Sequence, residues 1–253
     1  MKITDLEKYN IFDNEKLKKL EKLENQGVCN TIYKLDTSKK QYLIRVFKIT
    51  HQDKKSRHHE FEIQKKAYKI GIAAKPYILD EKNSLMICDF LEGKHKCKLK
   101  KNELNALVDS IKKLHQIKIN KKTYKLKKDF ENFRKILKDK KSQKLIRNSF
   151  KELKKLEKYK FEAVNTHHDL NINNVLFYKN KARFIDWEFA RVNDRFFDIA
   201  NICFEFKLSK KQEKQVLKRY FKKLKNKDIK KLASYKKVYE NLWILWFASQ
   251  NIN

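Results

Sequence analysis

The stretch Thr166-His167-His168-Asp169-Leu170-Asn171-Ile172-Asn173-Asn174-Val175-Leu176-Phe177 is a polar loop running into an apolar strand. It carries a His-x-Asp, with an Asn five positions after the Asp. A loop of that length lets a carboxylate face a substrate hydroxyl while the Asn amide oxygen turns back toward a metal bound to phosphate. Asp186 stands seventeen residues after Asp169 (186 minus 169), at the end of the apolar Phe184-Ile185 and directly before Trp187. The segment between them reads as a short hairpin: Val175 to Tyr178, a Lys-Asn-Lys turn, and Ala182 to Asp186. Two carboxylates and an amide converging from neighbouring loop ends suit Mg²⁺, which prefers oxygen ligands and keeps phosphate oxygens in its shell. The chemistry expected is phosphoryl transfer.

Working outward, the first third of the chain is rich in strands. Leu17, Leu20 and Leu23 keep a helical stripe between Asp13 and Asn25, closed by Gly27. Val28 to Leu35 and Gln41 to Phe47 read as a hairpin, Ser56 to Ile70 as a charged amphipathic helix, and Tyr77 to Leu79 with Leu85 to Phe90 as two further strands. From residue 92 the pattern turns helical, with Leu104, Leu107, Val108, Ile111 and Leu114 on one face. Phe130 to Lys158 reads as a Lys-rich helix whose charges are a solvated face without chemistry, and helical pattern returns from Phe196 to the end. The expectation is an α+β fold in two lobes: residues 1–91, with a five-stranded antiparallel sheet, and residues 92–253, mainly helical.

The chain has 253 residues, 41% of them hydrophobic, enough for a substantial core. Its 63 basic residues against 31 acidic ones give a formal charge of +32. Lys outnumbers Arg 55 to 8 and is spread along the whole length, whereas nucleic-acid readers lean on Arg and concentrate charge on one face. We read the excess first as AT-rich codon usage and second as a polyanionic partner, so no specific nucleic acid is expected. With 3 Gly and 1 Pro, neither GxGxxG nor GxxxxGK[ST] occurs. The cysteines Cys29, Cys88, Cys97 and Cys203 form no CxxC pair and no zinc-finger spacing, which fits intracellular thiols. The start lacks an apolar signal core, and Leu242 to Ala248 is too short to span a bilayer, so the reading is cytoplasmic without membrane insertion.

The run THHDLNINNVLF, then FIDWEFA at 184–190 and DRFFDIAN at 194–201, resembles the choline and ethanolamine kinase group of the aminoglycoside-phosphotransferase-like kinases. Gly27-Val28-Cys29-Asn30-Thr31-Ile32-Tyr33 resembles the nucleotide loop of that group, with Cys29 in place of the usual hydroxyl residue. The resemblance covers roughly residues 25–210, except the Lys-rich helices, and implies a protein-kinase-like fold using ATP and Mg²⁺. It implies Asp169 as catalytic base, Asn174 and Asp186 as Mg²⁺ ligands, and His167 as the buried residue that orients the loop. It also implies nucleotide contacts from Gly27, Asn30 and the hinge residues Asp89, Phe90 and Leu91, and an ion pair between Arg45 and Glu60.

From the residues alone, His167 reads as structural, and Asp198 either braces the catalytic loop or caps the helix after it. Arg45 shares a strand face with Leu43 and Phe47, and an inward Arg needs an anion. Trp187, Tyr239, Trp243 and Trp246 offer faces to a quaternary ammonium, with Glu188 as its counter-charge. Tyr235, Val238, Tyr239, Leu242, Trp243 and Trp246 equally fit a helix core stripe. The acceptor expected is a small amino alcohol, choline before ethanolamine. The alternatives are an aminoglycoside or another small-molecule acceptor and, in a different class, an RNA- or membrane-surface-binding protein on a retired kinase fold.

Overall fold

The computed structural model describes residues 1–24, 30–48, 54–118 and 122–250. The chain separates into two compact units, Met1–Gly93 with Phe184–Glu188, and Lys94–Arg183 with Phe189–Asn253. The boundary thus falls at 93/94 rather than 91/92, and Phe184–Glu188, expected in the helical unit, belongs with the first. The architecture is α+β in two lobes, as expected.

The first unit is built on β1 (Leu17–Lys22), β2 (Asn30–Thr37), β3 (Gln41–Phe47), β4 (Pro76–Asp80) and β5 (Leu85–Asp89). They form one antiparallel sheet in the order β1-β2-β3-β5-β4. The fifth strand is the segment expected to be a helix. Leu17 and Leu20 fall on one side of β1 because the register with β2 shifts between Leu17 and Lys19. That bulge inserts one residue and turns the alternation of a strand into a helix-like spacing of three.

β3 sends Tyr42 and Ile44 into a cluster with Leu6, Tyr9, Phe12, Leu35, Leu85 and Ile87, so the N-terminal 3-10 turns cover one sheet face. Successive strand residues point to opposite faces, which directs Arg45 to the other side. There α1 (Lys54–Lys69) buries Arg57, Glu60, Ile63, Gln64 and Ala67 at helical spacing. Two of those five are charged, which sets up the ion pairs of the candidate site.

The second unit contains α2 (Lys101–Gln116), α3 (Leu126–Ile136), α4 (Lys140–Leu156), α5 (Phe196–Glu205), α6 (Lys210–Phe221) and α7 (Asn226–Gln250). Two short strand pairs interrupt them: β6 (Ala163–Thr166) with β9 (Arg191–Asp194), and β7 (Val175–Tyr178) with β8 (Lys181–Phe184). Lys179 and Asn180 both have positive φ, 44° and 58°, as a two-residue hairpin turn requires. The single Lys-rich helix expected over 130–158 is two helices, because Asp139 accepts the Ser142 N–H (2.9 Å) and starts α4 afresh. Among the described residues, no helix is long and apolar enough to cross a membrane.

Asp194 ends β9 and ties three segments together. Its carboxylate accepts the backbone N–H groups of Glu162 (3.0 Å) and Phe196 (2.9 Å) and pairs with buried Lys231 at 2.7 Å. Lys231→Met is expected to cost about 3 kcal/mol, since it leaves a buried carboxylate without its cation. The check is the midpoint of urea unfolding.

Candidate active site

α5 positions the loop that follows β6. The helix is buried on every side, with Phe196, Phe197, Ile199, Ala200, Ile202 and Cys203 supplying apolar surface. Its buried polar residues Asp198 and Asn201 lie three apart and therefore share a face. Asp198 accepts the backbone N–H groups of His167 (2.9 Å) and His168 (3.0 Å), and Asn201 accepts that of Leu170. His115 of α2 places Nε2 3.1 Å from Asp198 and Nδ1 2.7 Å from the Tyr220 hydroxyl. Asp198 therefore braces the loop and caps no helix.

The loop turns at His168, whose φ is 73°. The imidazole of His168 stacks on Phe197 with ring centres 3.8 Å apart, and its Nε2 accepts from the Asn193 amide at 3.0 Å. Burial, followed by the nearby charge of Arg191, pulls the His168 pKa well below the usual histidine range, so the ring is neutral. His167 is fully buried at the root of the loop.

Asp169 is held by amides. The Asn171 side chain donates to Oδ1 (2.9 Å), and Asn174 Nδ2 donates both to Oδ2 (2.8 Å) and to the Asp169 carbonyl (2.9 Å). Both hydrogens of the Asn174 amide are committed, so its remaining capacity is the oxygen, a hard neutral donor. A 3-10 turn, Ile172–Asn174, presents it, and Asn171 Oδ1 accepts the Asn173 N–H at 2.8 Å.

Asp169 opens onto a pocket of about 320 Å³ within the second unit. Phe133, Phe189, Leu242, Trp243 and Trp246 form its apolar lining, and Tyr124, Asp129, Asn132, His168 and Arg191 its polar one. Trp243 and Trp246 meet edge to face at 5.5 Å. The Tyr124 hydroxyl donates to Asp129, and the Arg191 guanidinium lies 4.1 Å above the Tyr124 ring. Burial raises the Asp129 pKa, while the Tyr124 hydrogen bond and the Arg191 charge pull against it. The pocket thus offers two carboxyl groups, one guanidinium and several aromatic faces.

The first unit holds a separate cluster of charges. Arg45 pairs with Glu60 of α1, with Asp186 at 3.0 Å and with Glu188 at 3.4 Å. Arg57 pairs with Glu60 (3.1 Å) and Glu188 (3.6 Å) and stacks 3.9 Å over the Phe47 ring. Asp186 has a φ of 61° and keeps 38% of its side chain exposed. Burial, then the Asp186 charge, pushes the Glu188 carboxyl up to about 7. Burial works against the charge on Arg45, but Glu60, Asp186 and Glu188 outweigh it and raise its pKa. At the end of β5, the N–H groups of Asp89 and Phe90 are taken by the carbonyls of Lys75 (2.9 Å) and Gln41 (3.1 Å).

Residues 22–235 match the model of the phosphotransferase enzyme family, APH. The chain belongs to that family. Protein LicA of Haemophilus influenzae strain Rd is 25% identical over 246 residues, 88% of this phosphotransferase and 89% of the relative. Among solved structures, the choline kinase LicA from Streptococcus pneumoniae superposes with a TM-score of 0.79 at 18% identity, covering 98% of this chain and 91% of that one. A choline/ethanolamine kinase family protein from Mesorhizobium loti gives 0.82 at 18% identity, covering 99% and 85%. The fold of the phosphotransferase is thus of the choline/ethanolamine kinase type.

Several residues expected around the acceptor lie elsewhere. Trp187 is 1% exposed and packs on Phe184, and Tyr239 is fully buried with its hydroxyl between the Asn201 amide (2.7 Å) and the Glu205 carboxylate (2.8 Å). Both are core, leaving Trp243 and Trp246 as the aromatic contribution from the expected set. Glu188 is committed to two arginines of the first unit instead of a substrate cation. Gly27 and Cys29 lie outside the described residues, and Asn30 is the buried first residue of β2. Tyr124, Asp129, Asn132 and Phe133 went unrecognised because the Lys-rich composition of their segment masks them. The signal that reveals them is the stripe Leu126, Phe130 and Phe133, which fixes the buried side of α3.

Proposed function

We propose that this phosphotransferase moves the γ-phosphoryl group of ATP to the hydroxyl of a small amino alcohol, choline in preference to ethanolamine. The observation that carries the reading is the pocket, in which Asp169 shares one cavity with Trp243, Trp246 and Asp129. A trimethylammonium gains about 0.5 to 2 kcal/mol per aromatic face, and Asp129 supplies a carboxyl group for its charge. Ethanolamine instead presents three N–H groups, and any that face indole carbon lose about 1 to 3 kcal/mol.

Asp169 is the catalytic base in this reading, accepting the proton of the acceptor hydroxyl on an oxygen that faces the pocket. His167 and Asp198 hold its loop in place. Arg45, kept in position by Glu60, meets the phosphates, and Gly27 and Asn30 are further nucleotide contacts in this reading. The hinge Asp89-Phe90-Leu91 reads adenine through its backbone, and Leu91 supplies the N–H because those of Asp89 and Phe90 are already engaged. Each residue assigned to Mg²⁺ in this reading carries an oxygen donor of the kind it prefers, an amide oxygen on Asn174 and a half-exposed carboxylate on Asp186. When bound, Mg²⁺ offsets the charge on the β- and γ-phosphate oxygens.

Trp243→Ala and Trp246→Ala are each expected to raise the choline KM about 2- to 30-fold, the range equivalent to about 0.5 to 2 kcal/mol. Trp187→Ala is expected to destabilise the fold by about 3 to 5 kcal/mol without a selective effect on choline. Steady-state kinetics with choline and ethanolamine provide the check. An unchanged choline KM in both pocket variants, or transfer to an aminoglycoside alone, contradicts the reading.

A further inference from the structure

We propose that His95 is a positioning residue for Asn174, setting the turn that presents its amide oxygen; this rests on the reading of Asn174 as a Mg²⁺ ligand given above. His95 follows Lys94, whose N–H and carbonyl each bond to Phe177 of β7 at 3.0 Å. That bridge fixes the backbone and turns the imidazole over the loop. His95 Nδ1 then lies 3.2 Å from the Ile172 carbonyl oxygen and 3.0 Å from that of Val175. Both partners are acceptors, so Nδ1 carries the proton and donates to the pair.

The two carbonyls bracket Asn174. Ile172 opens the 3-10 turn and Val175 begins β7, so one ring N–H holds together the entrance and the exit of the turn. α5 anchors the earlier part of the loop through Asp198 and Asn201 at residues 167, 168 and 170. His95 does the corresponding work for residues 172–175. Its ring is exposed and belongs to no core, so replacing it removes the tie without opening a cavity.

The test compares His95→Ala, His95→Asn and His95→Gln with the wild type. An Asn amide nitrogen occupies the place of Nδ1, whereas that of Gln reaches to the place of Nε2. The first readout needs neither metal nor nucleotide: amide hydrogen exchange at Asn174, whose N–H bonds to the Asn171 carbonyl at 3.1 Å. Exchange is expected to quicken about tenfold in His95→Ala and His95→Gln and to return to the wild-type rate in His95→Asn. The second readout is the Mg²⁺ concentration giving half-maximal ATP turnover, which is expected to rise about tenfold in His95→Ala and His95→Gln, with kcat at saturating Mg²⁺ within about twofold. Unchanged exchange and Mg²⁺ dependence in His95→Ala, or rescue by Gln as complete as by Asn, overturns the proposal. A wild-type protein without ATP turnover counts against the functional reading instead, and hydrogen exchange still decides the role of His95.

Discussion

Asp169→Asn is expected to lower kcat for choline by ~10²- to 10⁴-fold, the usual contribution of a positioned general base, while the KM for ATP stays within about twofold. Asp169 is the carboxylate of the loop that also lines the pocket, and each of its oxygens already takes an amide hydrogen, from Asn171 and from Asn174. An Asn in its place keeps the shape but cannot accept a proton, and its own NH₂ faces one of those two donors. The brace from Asp198 and Asn201 acts on backbone N–H groups and survives the substitution. The proposed adenine contacts lie on the hinge of the other unit, so ATP affinity reports separately from chemistry. A wild-type rate in the variant would remove Asp169 from the mechanism.

Asp198→Ala is expected to lower stability by about 3 to 5 kcal/mol, because it orphans two buried backbone N–H groups at about 1 to 3 kcal/mol each and leaves His115 without its carboxylate. Asp198→Asn keeps one acceptor oxygen and is expected to lose about half as much. Urea unfolding midpoints rank the three proteins. Activity measured well below the unfolding transition is expected to fall as well, since the residues released are His167 and His168, immediately before Asp169. An Ala variant within about 0.5 kcal/mol of wild type would show that the loop holds its shape without α5.

How far the sequence revealed the molecule depended on how local each signal is. The His-x-Asp segment, the Asn after it and the Asp before Trp187 are read directly, because short loops constrain residue type at fixed spacing. The inward Arg45 follows from strand alternation, and the structure gives it three carboxylates. β1 was illegible because a bulge changes the period of its apolar residues, and periodicity is the main evidence that sequence offers. Trp187 beside a site residue suggests a ligand contact from sequence, yet its indole is buried. The chain leaves β8 and turns at Asp186, whose φ is 61°, so Asp186 stays half-exposed while Trp187 packs into the core against Phe184. Asp129 was hidden for another reason: a lone acidic residue in the first turn of a Lys-rich helix also suits the helix dipole, and only tertiary packing brings it to Asp169.

The central claim is phosphoryl transfer from ATP to an amino alcohol held against Asp169 by indole faces. It is tested most directly by incubating the purified protein with γ-labelled ATP, Mg²⁺ and, in parallel, choline, ethanolamine and a panel of aminoglycosides, and identifying the labelled product by mass. The expected result is labelled phosphocholine as the dominant product, a smaller yield of phosphoethanolamine, and no label on either in Asp169→Asn. Label on an aminoglycoside alone, or transfer to choline that persists in Asp169→Asn, would contradict it.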